Sequence, residues 1–143
     1  MAADELIDAI CETLMTNFGS GVRRYVGEVT QGLLEPCFLV LELEASQSRR
    51  IGPRYRRERS FDIQYFPAEA EGALALSAVA QRLFFALETP SSQSGERFRG
   101  TGLRAEIQDG VLHTFATYQY DLIDTVREPE MESAAVTATT KGG

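Results

Sequence analysis

The chain has 143 residues, of which 43% are hydrophobic and 24% are charged. This length and composition suit one folded domain with its own core. No apolar run is long enough to predict a membrane-spanning helix, and the acidic, amphipathic N-terminus indicates no export signal. The two cysteines, Cys11 and Cys37, lie among apolar neighbours, so we expect reduced, buried thiols rather than a disulfide framework.

The net charge of −7 is unevenly distributed along the chain. Residues 45–59 contain six of the 14 basic residues and one of the 21 acidic residues. The rest of the chain therefore has 8 basic and 20 acidic residues, a net charge of −12. An acidic body with one basic strip suits contact between unlike surfaces of identical copies.

The first half of the chain predicts one helix followed by three strands. Apolar residues recur every three or four positions over residues 3–17, which predicts an amphipathic helix. A short strand is expected over 23–29. The segment 37–43 is apolar at nearly every position, as in a central strand covered on both faces. Residues 46–53 predict a hairpin tip that leads into a strand over 55–66.

The strand over 55–66 alternates between apolar and polar side chains. Phe61 and Ile63 belong to the apolar face, whereas Ser60 and Asp62 belong to the polar one. A period of two residues is typical of a strand with one buried face, so we expect the polar side chains to be solvated.

The second half predicts a helix and a hairpin. An apolar stripe indicates a helix over 68–88, after the break at Pro67. Strands are expected over 103–108 and 111–123, because the intervening Asp-Gly pair favours the tight turn that matches strand twist.

The element order is therefore α-β-β-β-α-β-β. It predicts an α+β fold, with a mixed or antiparallel sheet of four to five strands packed against two helices. We expect a single domain over residues 1–126. Residues 127–143 are small, polar and acidic, which predicts a tail that is either flexible or docked on a partner.

The sequence offers little for catalysis, cofactor binding or metal binding. His113 is the only histidine, and it alternates with Val111 and Phe115 in a predicted strand. A general base needs a positioned partner, and the sequence nominates none, so a structural histidine is the favoured interpretation. The segment from Gly100 to Gly102 lacks the Gly-Lys-Ser/Thr sequence of a phosphate-binding loop. It predicts a bulge or a tight turn instead. We expect no enzyme activity and no cofactor.

The arginine-rich strip is the most informative feature, and it has three interpretations. It can contact acidic surfaces of neighbouring subunits, remain solvated, or bind nucleic-acid phosphates. The acidity of the whole chain disfavours nucleic acid, and so does the scarcity of aromatic residues among the arginines, where only Tyr55 lies. Subunit contact is the preferred interpretation. Its candidate residues are Arg49, Arg50, Arg54, Tyr55, Arg56, Arg57 and Arg59.

Several segments, taken in order, resemble phage tail terminator-like proteins of prophages in Gram-positive bacteria. They are LIDAICETL, EVTQGLLEPCFLVLEL, GPRYRRERSFDIQYFP and RGTGLRAEIQDGVLHTFATYQYDL, and they cover about residues 5–123. The resemblance rests on this order and coverage rather than on a catalytic signature.

The resemblance implies a structural role in a virion that is assembled in the host cytoplasm. Such proteins form a ring, commonly of six subunits, on the head-proximal end of the tail tube. The implied partners are further copies of the chain, the tail tube protein, head–tail connector proteins and, in a contractile tail, the sheath. DNA would only pass through the lumen, and no membrane or cofactor is implied.

Overall fold

The computed structural model describes residues 4–29, 31–69 and 71–124. The predicted α+β class and the order α-β-β-β-α-β-β are confirmed. The predicted tail, 127–143, lies outside the described residues. The elements are helices α1 (Glu5–Phe18) and α2 (Ala73–Glu88), and strands β1 (Arg23–Val26), β2 (Cys37–Arg49), β3 (Arg54–Phe66), β4 (Gly100–Gln108) and β5 (Val111–Ile123).

The five strands form one mixed sheet in the order β1-β2-β3-β5-β4. β1 is parallel to β2, from Arg23 beside Cys37 to Val26 beside Val40, whereas β4 and β5 are antiparallel. The predicted hairpin of β2 and β3 is present, but its tip is narrower than 46–53. β2 continues to Arg49, and the Arg50 amide donates a 2.8 Å hydrogen bond to the carbonyl of Arg54.

Both helices contact the same face of the sheet. The Phe18 ring, at the end of α1, packs against Phe38 of β2 at a centroid distance of 5.0 Å. At the end of α2, the Leu87 carbonyl accepts a 2.7 Å hydrogen bond from the hydroxyl of Tyr118 in β5. Phe38, Leu87 and Tyr118 are fully buried, so aromatic and aliphatic side chains of this face form the core.

α2 begins five residues later than predicted, at Ala73 rather than at residue 68. Gly72 is its N-cap residue. Before it, the Glu71 carboxylate accepts hydrogen bonds from the Tyr65 hydroxyl and the Ala68 amide, both at 2.8 Å. These side-chain bonds hold the segment in a turn, which competes with helix formation.

The predicted turn between β4 and β5 is confirmed. Asp109 and Gly110 have φ values of 52° and 76°, as a two-residue turn of the mirror-image type requires. The bulge predicted near the start of β4 is also present, because the register with β5 shifts between Thr101 and Arg104.

Gly100 lies where β4 approaches the end of α2. A Cβ atom at this position would be 2.5 Å from the Leu87 carbonyl oxygen and 3.0 Å from the Tyr118 ring. No side chain fits at such distances, so this close approach requires glycine.

The described residues group into two compact units. The first, here called the main unit, contains both helices, β1, β4 and the described residues up to 45 and over 59–118. The second, here called the arginine unit, contains Ser46–Glu58 and residues 119–124. β2, β3 and β5 contribute residues to both units. The single domain over 1–126 therefore stays a prediction.

Candidate subunit interface

The arginine unit contains six of the seven predicted interface residues, namely Arg49, Arg50, Arg54, Tyr55, Arg56 and Arg57. They lie at the end of β2, at the start of β3 and, for Arg50, in the connection between the two strands. The end of β5 supplies the nearby acid Asp121. The hairpin connection between residues 50 and 54 explains their proximity, since it places both chain segments side by side.

Arg56 and Asp121 form an ion pair within this unit. The Arg56 Nε donates to one Asp121 carboxylate oxygen at 2.8 Å, and Nη2 reaches the other at 3.4 Å. This hydrogen bond lowers the pKa of Asp121 and raises that of Arg56; Arg50 and Arg54 lower the Asp121 pKa further by their charge. Asp121 is therefore ionised near neutral pH and offsets one of the guanidinium charges.

Two further arginines of the unit are held by its own polar atoms. The Arg57 guanidinium donates two hydrogen bonds to the amide oxygen of Gln47, the one from Nε at 2.9 Å. The Arg49 Nε donates to the Gly52 carbonyl at 3.2 Å, and its guanidinium lies 5.9 Å from the centre of the Tyr55 ring. These contacts orient the side chains but leave their charge uncompensated.

The remaining two arginines, Arg50 and Arg54, are exposed. Within the described part of the chain, their guanidinium groups make no hydrogen bond or ion pair. They line an open groove of about 450 Å³, here called the arginine groove, with an excess of three positive charges. The residues of this groove are Arg49, Arg50, Ile51, Arg54, Arg56 and Asp121. It offers free donors and positive charge to an anionic group.

Arg59, the seventh predicted interface residue, lies in the main unit instead. Its guanidinium bonds the Glu42 carboxylate at 2.8 and 2.9 Å and the Asp4 carboxylate at 2.8 and 3.1 Å. Only 8% of the residue is exposed. Position 59 shares the buried face of β3 with Phe61, which the alternation in the sequence already indicated. Because Arg59 is buried against its own chain, its guanidinium group is not a surface for contact with another subunit.

Asp4 links this ion pair to the start of α1. Its carboxylate also accepts a 3.1 Å hydrogen bond from the Ile7 amide and so caps the helix. Burial alone would raise the pKa of Asp4, but the hydrogen bonds from Arg59 and Ile7 outweigh burial and lower it.

His113 has a partner that the sequence did not nominate. Its Nδ1 lies 2.9 Å from the Asp62 carboxylate, which also accepts a hydrogen bond from the Gln64 amide at 3.0 Å. The prediction that Asp62 is solvated is wrong, since only 5% of it is exposed. The histidine ring stacks on Phe115. The pair connects β3 with β5, as expected of a structural histidine in a sheet.

The two cysteines are free thiols. Cys37 is buried as predicted, whereas Cys11 is half-buried. Burial raises the pKa of both thiols, which reduces the fraction of reactive thiolate. Over residues 4–29, 31–69 and 71–124, no three metal-ligating side chains cluster, and neither helix is long and apolar enough to cross a membrane.

A family model described as Phage tail terminator protein matches residues 5–131. The match extends from α1 through β5, which ends at Ile123, and continues eight residues beyond that strand. A search of curated proteins finds no similar protein.

Proposed function

This chain belongs to the phage tail terminator protein family, and from that premise we propose that its copies form a ring on the head-proximal end of a tail tube. Membership makes the chain a structural protein of the phage virion. In the proposed position, the ring ends tube polymerisation and provides the surface for head–tail joining. Its partners are the tail tube protein and the head–tail connector proteins, with the last sheath subunits added in a contractile tail.

A closed ring of identical subunits needs two unlike, complementary surfaces on each copy. The arginine groove best supports such an interface. Its Arg50 and Arg54 guanidinium groups make no hydrogen bond or ion pair within the described residues, and the net charge of the chain is −7. The acidic complement is available on α1, where Glu5 and Asp8 are exposed. We propose that the groove of one subunit contacts an acidic surface of the next.

Charge reversal at the groove tests this interface. We expect an Arg50→Glu/Arg54→Glu variant to lower the yield of ring-sized oligomers at least tenfold in native mass spectrometry with tail tube protein. The thermal unfolding midpoint should stay close to that of the unmodified chain, because neither side chain makes a hydrogen bond or ion pair within the described residues.

The matched control is Arg97→Glu/Arg99→Glu, which introduces the same change in charge at two exposed positions of the main unit. This control should still assemble. Equal loss of assembly in both variants would contradict the groove interface and point to net charge instead. An unmodified chain that stays monomeric beside tube ends would contradict the ring itself.

Nucleic-acid binding is the second candidate function, favoured by the same excess of positive charge in the groove. Phosphate contacts by Arg50 and Arg54 would make affinity depend on salt, with a logarithmic slope of roughly −2 for two contacts. Filter binding of duplex DNA at several salt concentrations measures that slope. Retention at low salt that disappears in the Arg50→Glu/Arg54→Glu variant, with assembly intact, would favour this candidate over the ring interface.

A further inference from the structure

β4 is an edge strand of the sheet, and one side of its backbone is open. It is last in the strand order, so among the described strands only β5 lies beside it. Gln108 and Val111 flank the two-residue turn as a hydrogen-bonded pair, and such pairs occur at every second position of an antiparallel ladder. Ala105 and Ile107 lie between these positions, so their amide and carbonyl groups are directed away from β5.

A mostly apolar groove follows this open edge. It has a volume of about 310 Å³, lies between α2 and β4, and is lined by Phe84, Ala105 and Ile107 among others. Ile107 is 44% exposed, although it lies beside the buried Leu112 of β5. Such an edge fits an added strand, because the backbone supplies hydrogen bonds and the groove accepts alternate side chains.

β1 is the edge strand at the other end of the sheet, and it is open in the same way. The Gly27 amide donates a 3.0 Å hydrogen bond to the Val40 carbonyl of β2. Since inward and outward backbone groups alternate, Tyr25 also bonds β2, whereas Arg24 and Val26 face away from it. Val26 is 48% exposed. Each edge of the sheet therefore offers two residues to a further strand.

The directions of the two edge strands are suited to a ring. β1 is parallel to β2, the hairpin of β2 and β3 is antiparallel, and so are β4 and β5. β3 and β5 are antiparallel too, because contacts advance from Ser60 to Asp62 on β3 and go back from Thr117 to His113 on β5. β4 therefore runs opposite to β1. Rotation about a ring axis preserves strand direction, so β4 of one copy would meet β1 of the next in antiparallel orientation.

The side chains of the outward residues also lie on matching faces. Arg24 is beside Phe38, whose ring packs against α1, and Val26 shares the face of Arg24. Ile107 is beside Leu112 and lines the groove under α2. All outward residues thus belong to the helix-covered face. Antiparallel pairing requires this match, because residues directly opposite each other share one face of a sheet.

From these observations we propose that β4 of one copy pairs antiparallel with β1 of the next, with Ile107 opposite Arg24 and Ala105 opposite Val26. The sheet then continues from copy to copy, and the exposed Val26 and Ile107 side chains cover each other. This pairing rests on the proposed ring, since a cyclic arrangement brings two unlike edges together at every boundary between subunits. It adds a contact to the one made by the arginine groove.

Charge favours a second copy of the chain as the added strand. In this register, Arg24 lies diagonal to Asp109, while Arg23 lies opposite Gln108 and diagonal to Glu106, which long side chains can reach. Neither arginine forms an ion pair within the described residues. Pairing of two β4 strands through both outward residues would instead place Glu106 opposite its own copy, and like charges directly opposite are destabilising.

Disulfide cross-linking with oxidised glutathione, in the presence of tail tube protein, tests this register. Arg23 and Gln108 are exposed, and their Cα atoms would lie about 4.5 Å apart between copies, which a disulfide spans. Within one copy they lie at opposite edges of the sheet, at least roughly 19 Å apart, so no internal disulfide forms. A mixture of Arg23→Cys and Gln108→Cys chains should give at least tenfold more cross-linked dimer than either chain alone.

The matched control mixes Arg23→Cys with Thr101→Cys chains. Thr101 is exposed on the same strand but lies roughly 20 Å from Gln108, so this mixture should give no more dimer than the separate chains. A second variant, Ile107→Lys, places a positive charge opposite Arg24 and should lower the yield of ring-sized oligomers at least tenfold in native mass spectrometry. Leu74→Lys makes the same change at an 87% exposed position of α2 and should assemble normally.

Three results would overturn the pairing. The first is an equal dimer yield from the Gln108→Cys and Thr101→Cys mixtures. The second is a comparable yield from Gln108→Cys chains alone, since it would place β4 against β4. The third is unchanged assembly of Ile107→Lys. Cross-linked copies that ignore tube ends would contradict the proposed position on the tube and support the pairing, whereas rings on tubes without the disulfide would refute the pairing alone.

Discussion

The main unit and the arginine unit differ in whether their arginine side chains are buried and paired with acids. In the main unit, Arg59 is buried and its guanidinium bonds two carboxylates. In the arginine unit, Arg50 and Arg54 lie exposed around one acid, Asp121, whose short hydrogen bond goes to Arg56. Buried charge must be paired to be tolerated, whereas unpaired charge persists only where water solvates it. The first arrangement connects β3 with β2 and with the start of α1, whereas the second leaves guanidinium groups available to a partner.

The largest expected difference between the units concerns apolar side chains. Leu83 in α2 is fully buried, so Leu83→Ala should lower the free energy of unfolding by about 3 kcal/mol. Ile51 is 81% exposed, and Ile51→Ala should change it by less than about 0.5 kcal/mol. Urea unfolding of both variants measures the contrast. Similar losses would show that Ile51 is covered in solution and that the two units do not differ in this respect.

Removing an arginine should also lower the free energy of unfolding more in the main unit than in the arginine unit, but by a smaller difference. Arg59→Met leaves Asp4 and Glu42 without their shared partner, and we expect a loss of about 2 kcal/mol in the free energy of unfolding. Both acids are partly exposed, so water limits the loss. Arg54→Met, the matched variant in the groove, should change stability by less than about 0.5 kcal/mol. If Arg59→Met is as stable as the unmodified chain, the ion pair contributes no more to the free energy of unfolding than apolar packing at this position does.

Acid should weaken the main unit through Asp4. Its pKa is lowered in the folded state, so its ionised form favours folding above the ordinary value of 3.8. This contribution is lost as the pH falls from that value through the lower folded one. Urea unfolding between pH 6 and pH 2 should show the loss in the unmodified chain and a reduced loss in Asp4→Asn. An identical pH dependence in the two proteins would assign the effect to other carboxylates.

The smallest effect is expected at Asp121. Arg56→Met removes the hydrogen bond that lowers the Asp121 pKa, so this pKa should rise towards 3.8. The pair is exposed to solvent, and stability should barely change. A carbon-detected NMR titration of the Asp121 carboxyl group reports the pKa directly. An unchanged pKa would mean that the charges of Arg50 and Arg54, rather than the hydrogen bond from Arg56, keep the Asp121 pKa low.

Much of this fold could be predicted from the sequence, because periodicity and turn residues are local signals. They gave the order of the seven elements and the Asp109–Gly110 turn. The parallel pairing of β1 with β2 could not be predicted, since the pattern of a four-residue strand does not indicate whether it pairs parallel or antiparallel. The late start of α2 depends on the hydrogen bond from Tyr65 to Glu71, and propensity alone does not reveal such a contact.

The candidate site was predictable in its composition but not in its pairing. The density of arginines in residues 45–59 indicated a surface for contact, and six of the seven candidates lie in one unit. The Arg56–Asp121 ion pair joins positions that are 65 residues apart in the sequence. The contact of the buried Asp62 with His113 joins positions that are 51 residues apart. A pattern within one strand does not specify which residue of another strand will lie beside it.

The Leu87 carbonyl oxygen joins three elements at one point. It belongs to the end of α2, accepts the Tyr118 hydroxyl of β5, and leaves no room for a side chain at the start of β4. Anyone who builds a mutant library or places a label on this protein should treat Gly100 as a fixed position. A methyl group there would push the oxygen away from Tyr118, so replacing a single hydrogen atom by a methyl group would disturb two strands and a helix together.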